Sequence, residues 1–398
     1  MKPLVPSLLI AALSAAISGA ALAADTGTWS AALRYRYEGV DDDAFAREAQ
    51  AHTARLRLGW TQPLGHGFTA LVEGEAVTEL SDRFNSTANG HTTYPVVADA
   101  RSTELNRLQI EWRGSHAALA VGRQRLLLDN QRFVGNVGWR QNEQTFDAVS
   151  FELRPRDTVT LRYHWLDRVH RFNGDEARDP LARERSLDAH LLNAAWVLPA
   201  STLVGYAYLV ADRDVAAAST RTTGLRWNGK WPESTLGFGW TVEAARQQDY
   251  DENPARFSHA YTLVESGLHW AGIDWKAGFE RLGGNGTHAF QTPLATLHAF
   301  NGWADKFTTT PAQGLEDRYL GAGAKFGRGS WSERLTWAVA WHDFRAARGD
   351  AHYGQEWNAS LGANLGRGWN GLLKFADYGS DGFARDTRKL WLQLEWTH

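Results

Sequence analysis

Apolar and polar residues alternate with a period of two along most of this chain. In the first such segment one face is apolar and consists of Trp29, Ala31, Leu33, Tyr35 and Tyr37. The other face is polar or small and consists of Ser30, Ala32, Arg34, Arg36 and Glu38. The same alternation recurs at residues 55–61, 107–113, 159–165 and 390–396. A period of two places successive side chains on opposite faces of an extended chain, so these segments are predicted to be β-strands.

The connections between the predicted strands alternate between very short and much longer. Residues 63–67, 114–115 and 155–157 read as tight turns, whereas residues 81–101, 167–185 and 283–317 are long and polar. This alternation is typical of a bacterial outer-membrane barrel, with short periplasmic turns and long extracellular loops. We expect an all-β fold, a single transmembrane antiparallel β-barrel of about 18 strands. A count of 16 is the alternative, because several strands are faint.

The N-terminus predicts export. Lys2 precedes an apolar run over residues 4–22, and Ala21-Leu22-Ala23 supplies a small-x-small cleavage box. This pattern indicates a signal peptide at residues 1–23, cleaved near Ala23/Ala24, and a barrel at residues 24–398 in the bacterial outer membrane. After residue 23 no stretch reaches the roughly 18 apolar residues of a spanning helix. The chain has no Cys but has 19 Trp, 17 Phe and 11 Tyr, which suits the aromatic girdles of a barrel.

Arginine dominates the basic residues, although the formal net charge is only −3. Seven inward positions of the early predicted strands carry it, and we expect these side chains to face the lumen: Arg34, Arg36, Arg55, Arg57, Arg107, Arg113 and Arg162. Arginines in a low-dielectric lumen focus a positive field and favour anions. The alternative is that they pair with lumen carboxylates and brace the barrel.

Residues 122–148 are charged, lack Pro and lack helical spacing, so we expect this segment to fold into the cavity of the barrel. Its arginines Arg123, Arg125, Arg132 and Arg140 would extend the positive path.

Several runs in this and later segments resemble the alginate-export family of outer-membrane barrels. They include Gln131-Arg132-Phe133-Val134-Gly135, Trp139-Arg140-Gln141-Asn142, residues 300–307 and His342-Asp343-Phe344. The resemblance implies an 18-stranded barrel whose arginine-lined pore passes an acidic polysaccharide such as alginate. It also implies that Arg123, Arg125, Arg132 and Arg140 form a charged constriction, with Asp129 and Glu143 as the partners that hold the guanidinium groups.

Trp303 and Phe307 are candidate sugar-stacking rings, with a role in the core of a loop as the alternative. No motif indicates a catalytic residue, a metal site or a cofactor, because no Ser–His constellation, Cys/His spacing or phosphate loop stands out.

We therefore expect a passive channel for anionic solutes and not an enzyme. A barrel enzyme at the membrane surface and a plugged structural or adhesion barrel are the alternatives. The expected partners are outer-membrane lipid, lipopolysaccharide, the barrel-assembly machinery and an anionic sugar or small anion. We expect no nucleic acid as a partner, and a monomer.

Overall fold

The computed structural model describes residues 27–231, 236–326 and 334–398, so the predicted signal peptide lies outside the described residues. The chain forms eighteen β-strands, numbered in chain order: β1 Thr28–Asp42, β2 Ala49–Gly65, β3 Phe68–Glu79, β4 Ser102–Arg113, β5 Ala117–Gln124, β6 Thr145–Arg156, β7 Val159–His170, β8 Glu184–Leu198, β9 Ser201–Asp212, β10 Thr220–Trp231, β11 Gly237–Asp249, β12 Ser258–Trp270, β13 Ile273–Leu282, β14 Leu315–Lys325, β15 Leu335–Arg345, β16 His352–Gly366, β17 Trp369–Ser380 and β18 Thr387–Thr397.

The sheet closes on itself between the first and last strands. Tyr35 of β1 lies opposite Leu394 of β18 on one side and opposite Ala54 of β2 on the other. Every neighbouring pair is antiparallel, and the closed order leaves no free edge among the described strands. Closure pairs the backbone groups that lipid cannot satisfy. The prediction of a single all-β barrel of 18 strands is confirmed, and the alternative of 16 strands is wrong.

The two ends of the barrel differ as the sequence predicted. At one end, here called the turn end, short connections such as residues 66–67, 271–272 and 367–368 join the strands. The longest connections, residues 80–101, 125–144 and 283–314, all lie at the opposite loop end. The first strand begins and the last strand ends at the turn end, the side that faces the periplasm in barrels of this type.

Exposure alternates along the strands and separates the outer wall from the lumen. Leu33, Leu56 and Leu394 are exposed, and their cross-strand neighbours on the same face are also apolar. Between them, Arg34 and Arg55 are buried among other polar side chains. The outer wall therefore offers an apolar band to lipid while the polar positions point inward. Among the described residues, none of the helices is long and apolar enough to cross a membrane.

Two long connections fold into the lumen instead of extending from the loop end. We call residues 125–144 loop A and residues 283–314 loop B. Val134 of loop A forms a bridge with Leu294 of loop B. The ring of Phe133 packs against Tyr206, Tyr208, Tyr261 and Phe290. Loop A, loop B and the inner wall thus share one apolar core.

Candidate functional site

Loop A is fixed to the opposite wall and to loop B by a buried arginine. Arg132 Nε donates to Glu280 Oε1 on β13 at 2.7 Å, and Arg132 Nη2 donates to Asn301 of loop B at 2.9 Å. Burial disfavours the charged guanidinium, but Glu280 outweighs that cost and raises the pKa of Arg132. The predicted constriction residue Arg132 therefore anchors the loop and is 3% exposed.

A second anchor lies where loop A meets β1 and loop B. Arg140 Nη1 donates to Glu38 Oε2 at 3.0 Å, and Arg140 Nη2 donates to Asp305 Oδ2 at 3.2 Å. Lys389 Nζ of β18 donates to the same Asp305 oxygen at 2.8 Å. Burial would raise the pKa of Asp305, but His298 and these two cations hold it well below its usual range.

An ammonium group enclosed by tryptophans completes the attachment of both loops to β17 and β18. Lys374 Nζ lies 3.7 Å from the ring centroid of Trp303 and 4.2 Å from that of Trp139. It also contacts His298 Nε2 at 2.6 Å. Burial, with Lys374 beside it, lowers the pKa of His298 to about 3, although Asp305 opposes the shift. Neutral His298 accepts from Lys374 through Nε2 and donates from Nδ1 to Asp305 at 2.7 Å.

This packing decides where the two candidate sugar-stacking rings lie. Phe307 is 5% exposed and packs against Phe344 and Phe383, and Trp303 is covered by Lys374. Both rings occupy the loop-core role that the sequence offered as the alternative. The sugar-stacking prediction is wrong for Phe307, because no face of its ring is open to a solute.

The four arginines predicted to face the lumen from β1 and β2 do face inward, but carboxylates and loop A surround them. Arg34 and Arg55 share Glu395 Oε1 at 2.9 Å each. Arg36 lies 3.5 Å from Asp99, and its guanidinium carbon is 4.1 Å from the ring centroid of Trp139. Arg57 pairs with Glu75. These groups hold loop A against the wall, which is the bracing alternative.

The carboxylate of Glu143, in loop A, contacts several of the arginines and amides around it. Its carboxylate pairs with Arg125 and accepts from Asn106 at 2.6 Å and from Asn136 at 2.8 Å, while Arg57 lies 3.7 Å away. Burial alone would raise the pKa of Glu143, but Arg57 and Arg125 lower it to about 2. The Arg125–Glu143 pair that the family resemblance implied is present.

Beneath loop A, towards the turn end, the wall of β4–β7 borders an open cavity of about 430 Å³, here called the vestibule. Five arginines and two glutamates line it: Arg107, Arg113, Arg125, Arg154, Arg162, Glu111 and Glu152. Counted over these seven residues alone, the formal excess is three positive charges, and Arg125 also pairs with Glu143 and Glu73 outside the lining. Leu126, Leu127 and Leu128 of loop A form part of the same lining, and Leu127 is 50% exposed. The vestibule joins an arginine-rich wall to an apolar edge.

Two predicted site residues lie elsewhere. Arg123 pairs with Asp147 at 2.9 Å on the outer wall, where its cross-strand neighbour is the exposed Leu108. Its placement in the constriction is wrong, because β5 continues through Gln124 and keeps Arg123 in the outward register. Asp129 is also misassigned, since its carboxylate accepts from Asn193 at 2.9 Å and from Tyr208 and pairs with no loop arginine. Burial raises the pKa of Asp129.

Sequence reasoning missed Arg154 as a lining residue. Arg154 continues the inward alternation of β6 after Ser150 and Glu152, two residues apart in each step. It therefore borders the vestibule and pairs with Glu152 at 2.6 Å. The period of two was itself the available signal, because it places residues 150, 152 and 154 on one face.

One Ser–His contact borders the vestibule, and its hydrogen bonds do not suit a nucleophile. Gln124 Nε2 donates to two backbone carbonyls, so Gln124 Oε1 accepts, and Ser150 Oγ donates to it at 2.8 Å. His164 Nδ1, 2.7 Å from Ser150 Oγ, must then donate to the hydroxyl. A general base would have to accept the hydroxyl proton. Within the described ranges, no group of three or more His, Cys, Asp or Glu side chains could hold a metal ion.

These features define a class of protein: an 18-stranded barrel of the outer-membrane type with two loops folded into its lumen. Solved structures share this fold. The outer membrane protein opdK from Pseudomonas aeruginosa superposes with a TM-score of 0.73 at 15% identity, covering 94% of this chain and 98% of that chain. OccK9 (OpdG) from the same organism gives 0.73 at 16% identity, covering 93% and 98%. OccAB4 from Acinetobacter baumannii gives 0.72 at 13% identity, covering 94% and 99%.

No family model matches the chain, and no curated protein matches it. The resemblance to the alginate-export family is wrong, because the solved structures reported above with this fold, and others like them, are OpdK, OccK and OccAB proteins. The residue runs behind that resemblance, around Trp139-Arg140 and residues 300–307, are the anchors of loops A and B. At these identities the likeness shows the fold, which is that of outer-membrane proteins.

Proposed function

We propose that the protein is a passive outer-membrane channel for small anionic solutes, which pass through the vestibule beneath loop A. The observation that carries the proposal is the excess of arginine over glutamate around a cavity of about 430 Å³. Low-dielectric walls concentrate anions at such a site. Arg107 is one lining arginine whose charge is weakly paired, because its carboxylate contact, to Glu73, is 4.0 Å long.

The size and lining of the vestibule favour a small solute over a polysaccharide. Loops A and B fill much of the lumen, so a bulky chain has little room beside them. An arginine wall facing Leu127 suits a molecule with a carboxylate at one end and an apolar ring at the other. A neighbour with the same fold, OpdK, has been crystallised with vanillate, a molecule of this kind.

Proteoliposome swelling tests this proposal directly. Vesicles containing the protein should swell several-fold faster in vanillate than in vanillyl alcohol, which has the same ring without the carboxylate. Protein-free vesicles supply the background. Equal rates for the two solutes, or a faster rate for the alcohol, would overturn the proposal of anion preference.

A plugged structural barrel is the second candidate, and the density of contacts between loops A and B favours it. Arg132, Arg140 and Lys374 together attach both loops to three parts of the wall. Vesicles that swell in neither solute would support this candidate over the channel.

A further inference from the structure

The outer wall has two rims built from different side chains. At the turn end, outward-facing tryptophans cluster within five residues of the strand ends: Trp29, Trp60, Trp112, Trp196, Trp227, Trp231, Trp240, Trp270, Trp275, Trp337, Trp369 and Trp396. Tryptophan prefers the boundary between lipid tails and headgroups because its ring is both apolar and polar. The turn-end rim therefore reads as an uncharged aromatic girdle.

At the loop end, the outward positions of the described strands carry charged residues instead, and several of their arginines pair with acids such as Asp147, Glu184 and Asp377. These arginines are Arg123, Arg168, Arg221, Arg246, Arg281, Arg318, Arg345 and Arg388. They alternate with the buried residues of the inner wall, as Arg246 does with Ala245 and Gln247. The two membrane boundaries thus meet different chemistry on the same barrel.

On β13–β15, acids and arginines of the loop-end rim lie opposite one another on neighbouring strands. We call this group the outer patch: Arg281, Glu316, Arg318, Asp343 and Arg345. Cross-strand pairing places Glu316 between Arg281 and Arg345, and it places Arg318 directly opposite Asp343. Three guanidinium groups therefore surround two carboxylates. Asp343 is shared further, because it also accepts from His352 Nε2 at 2.7 Å.

Two arginines of the outer patch are about half exposed and could bind an additional anion. Arg318 reaches Glu316 only at 3.5 Å, and its side chain is 53% exposed. Arg345 Nε donates to Asp343 at 2.8 Å, and its side chain is 49% exposed. A guanidinium has five N–H donors, so each of these groups can bind a further anion.

The height of the outer patch places it among lipid headgroups. Strands of about 3.3 Å rise per residue, tilted by about 40°, gain about 2.5 Å along the membrane normal with each residue. At the turn end, β14 ends at Lys325 and β15 begins at Leu335. Arg345 therefore lies about 25 Å above that end, at the upper edge of an apolar band of about 25 Å, and Arg318 lies about 18 Å above it, just below that edge. A guanidinium there is tolerated only with a polar partner.

We propose that the outer patch binds the phosphate groups of the phosphorylated glycolipid of the outer leaflet. Guanidinium groups bind phosphate through paired, charge-assisted hydrogen bonds. Arginines, several of them paired with acids, line the loop-end rim, whereas the turn-end girdle is uncharged tryptophan. A glycolipid confined to one leaflet matches this asymmetry, while phospholipid headgroups face both boundaries. The site is separate from the vestibule, so it does not depend on the proposed channel.

Lipid titration of the purified barrel in detergent tests the site. Diphosphorylated lipid A should raise the Tm of the wild-type protein, and the triple change Arg281→Gln, Arg318→Gln and Arg345→Gln should weaken apparent binding at least tenfold. The matched control removes the same charge elsewhere through Arg156→Gln, Arg256→Gln and Arg367→Gln, and it should bind as the wild type does. Equal binding by both triple variants would overturn the proposal, and so would equal binding of phosphatidylglycerol or of dephosphorylated lipid A.

A second variant keeps the test decisive if the triple change fails to fold. Replacing both acids, by Glu316→Gln and Asp343→Asn, frees the three arginines and should tighten lipid A binding several-fold. A patch that served only to hold the strands together would instead show no tightening, which would also overturn the proposal.

Discussion

Two sets of arginines face the lumen, and their surroundings give them different roles. Those of β1 and β2 contact loop A directly, and Glu395, Glu75, Glu73 and Asp99 pair with them. Those of the vestibule outnumber the two glutamates that line it, and Arg107 and Arg162 border its open space. Inward orientation alone therefore does not make an arginine part of a permeation path. The position of loop A decides which guanidinium groups brace the barrel and which attract solutes.

The largest effect on this division should follow from loss of the Arg140 anchor. Arg140→Ala removes a cation that neutralises the buried carboxylates of Glu38 and Asp305. Breaking a buried ion pair in this way lowers the free energy of unfolding by about 3–5 kcal/mol. We expect loop A to detach and single-channel conductance to rise several-fold. Denaturant unfolding and planar-bilayer recording measure the two effects. Arg154→Ala, at a half-exposed ion pair, should cost less than about 1 kcal/mol; equal losses would show that Arg140 is no anchor.

Acidification should detach loop A, and the pKa of Glu143 sets the pH range of this change. Its folded-state pKa of about 2 lies below its ordinary value, so its stabilisation is complete above about pH 4.5. As the pH falls from about 4.5 towards 2, on the order of 3 kcal/mol is lost. Unfolding midpoints measured across this range should fall for the wild type. Glu143→Gln should be less stable at neutral pH and change less on acidification, and parallel curves would contradict this role.

The smallest effect should come from Arg123, which lies on the outer wall. Arg123→Gln removes one charge from the same chain segment without touching the lumen. Ion selectivity in a salt gradient should equal that of the wild type, and stability should change by less than about 1 kcal/mol. A shift in reversal potential would mean that Arg123 reaches the permeation path after all.

The fold followed from the sequence more fully than the site did. The alternation from Trp29 to Glu38 predicts which face contacts lipid, and the lengths of the connections predict the strand order. The environment of each lumen residue depends instead on where loops A and B fold. Arg123 and Arg132 look alike in the sequence, yet Arg123 lies on the outer face of β5 and Arg132 is buried in loop A. Phe307 looked like a binding ring because nothing local shows that Phe344 and Phe383 cover it.

Reversal potentials of paired variants distinguish the arginines of the vestibule from those that brace β1 and β2. The wild type, Arg107→Gln/Arg162→Gln and Arg34→Gln/Arg55→Gln would be recorded in one salt gradient across a planar bilayer. We predict anion selectivity in the wild type that falls several-fold in the vestibule variant and persists in the β1–β2 variant, although the latter unfolds more easily. Selectivity lost in the β1–β2 variant and kept in the vestibule variant would show that the arginines of β1 and β2, and not those of the vestibule, select for anions.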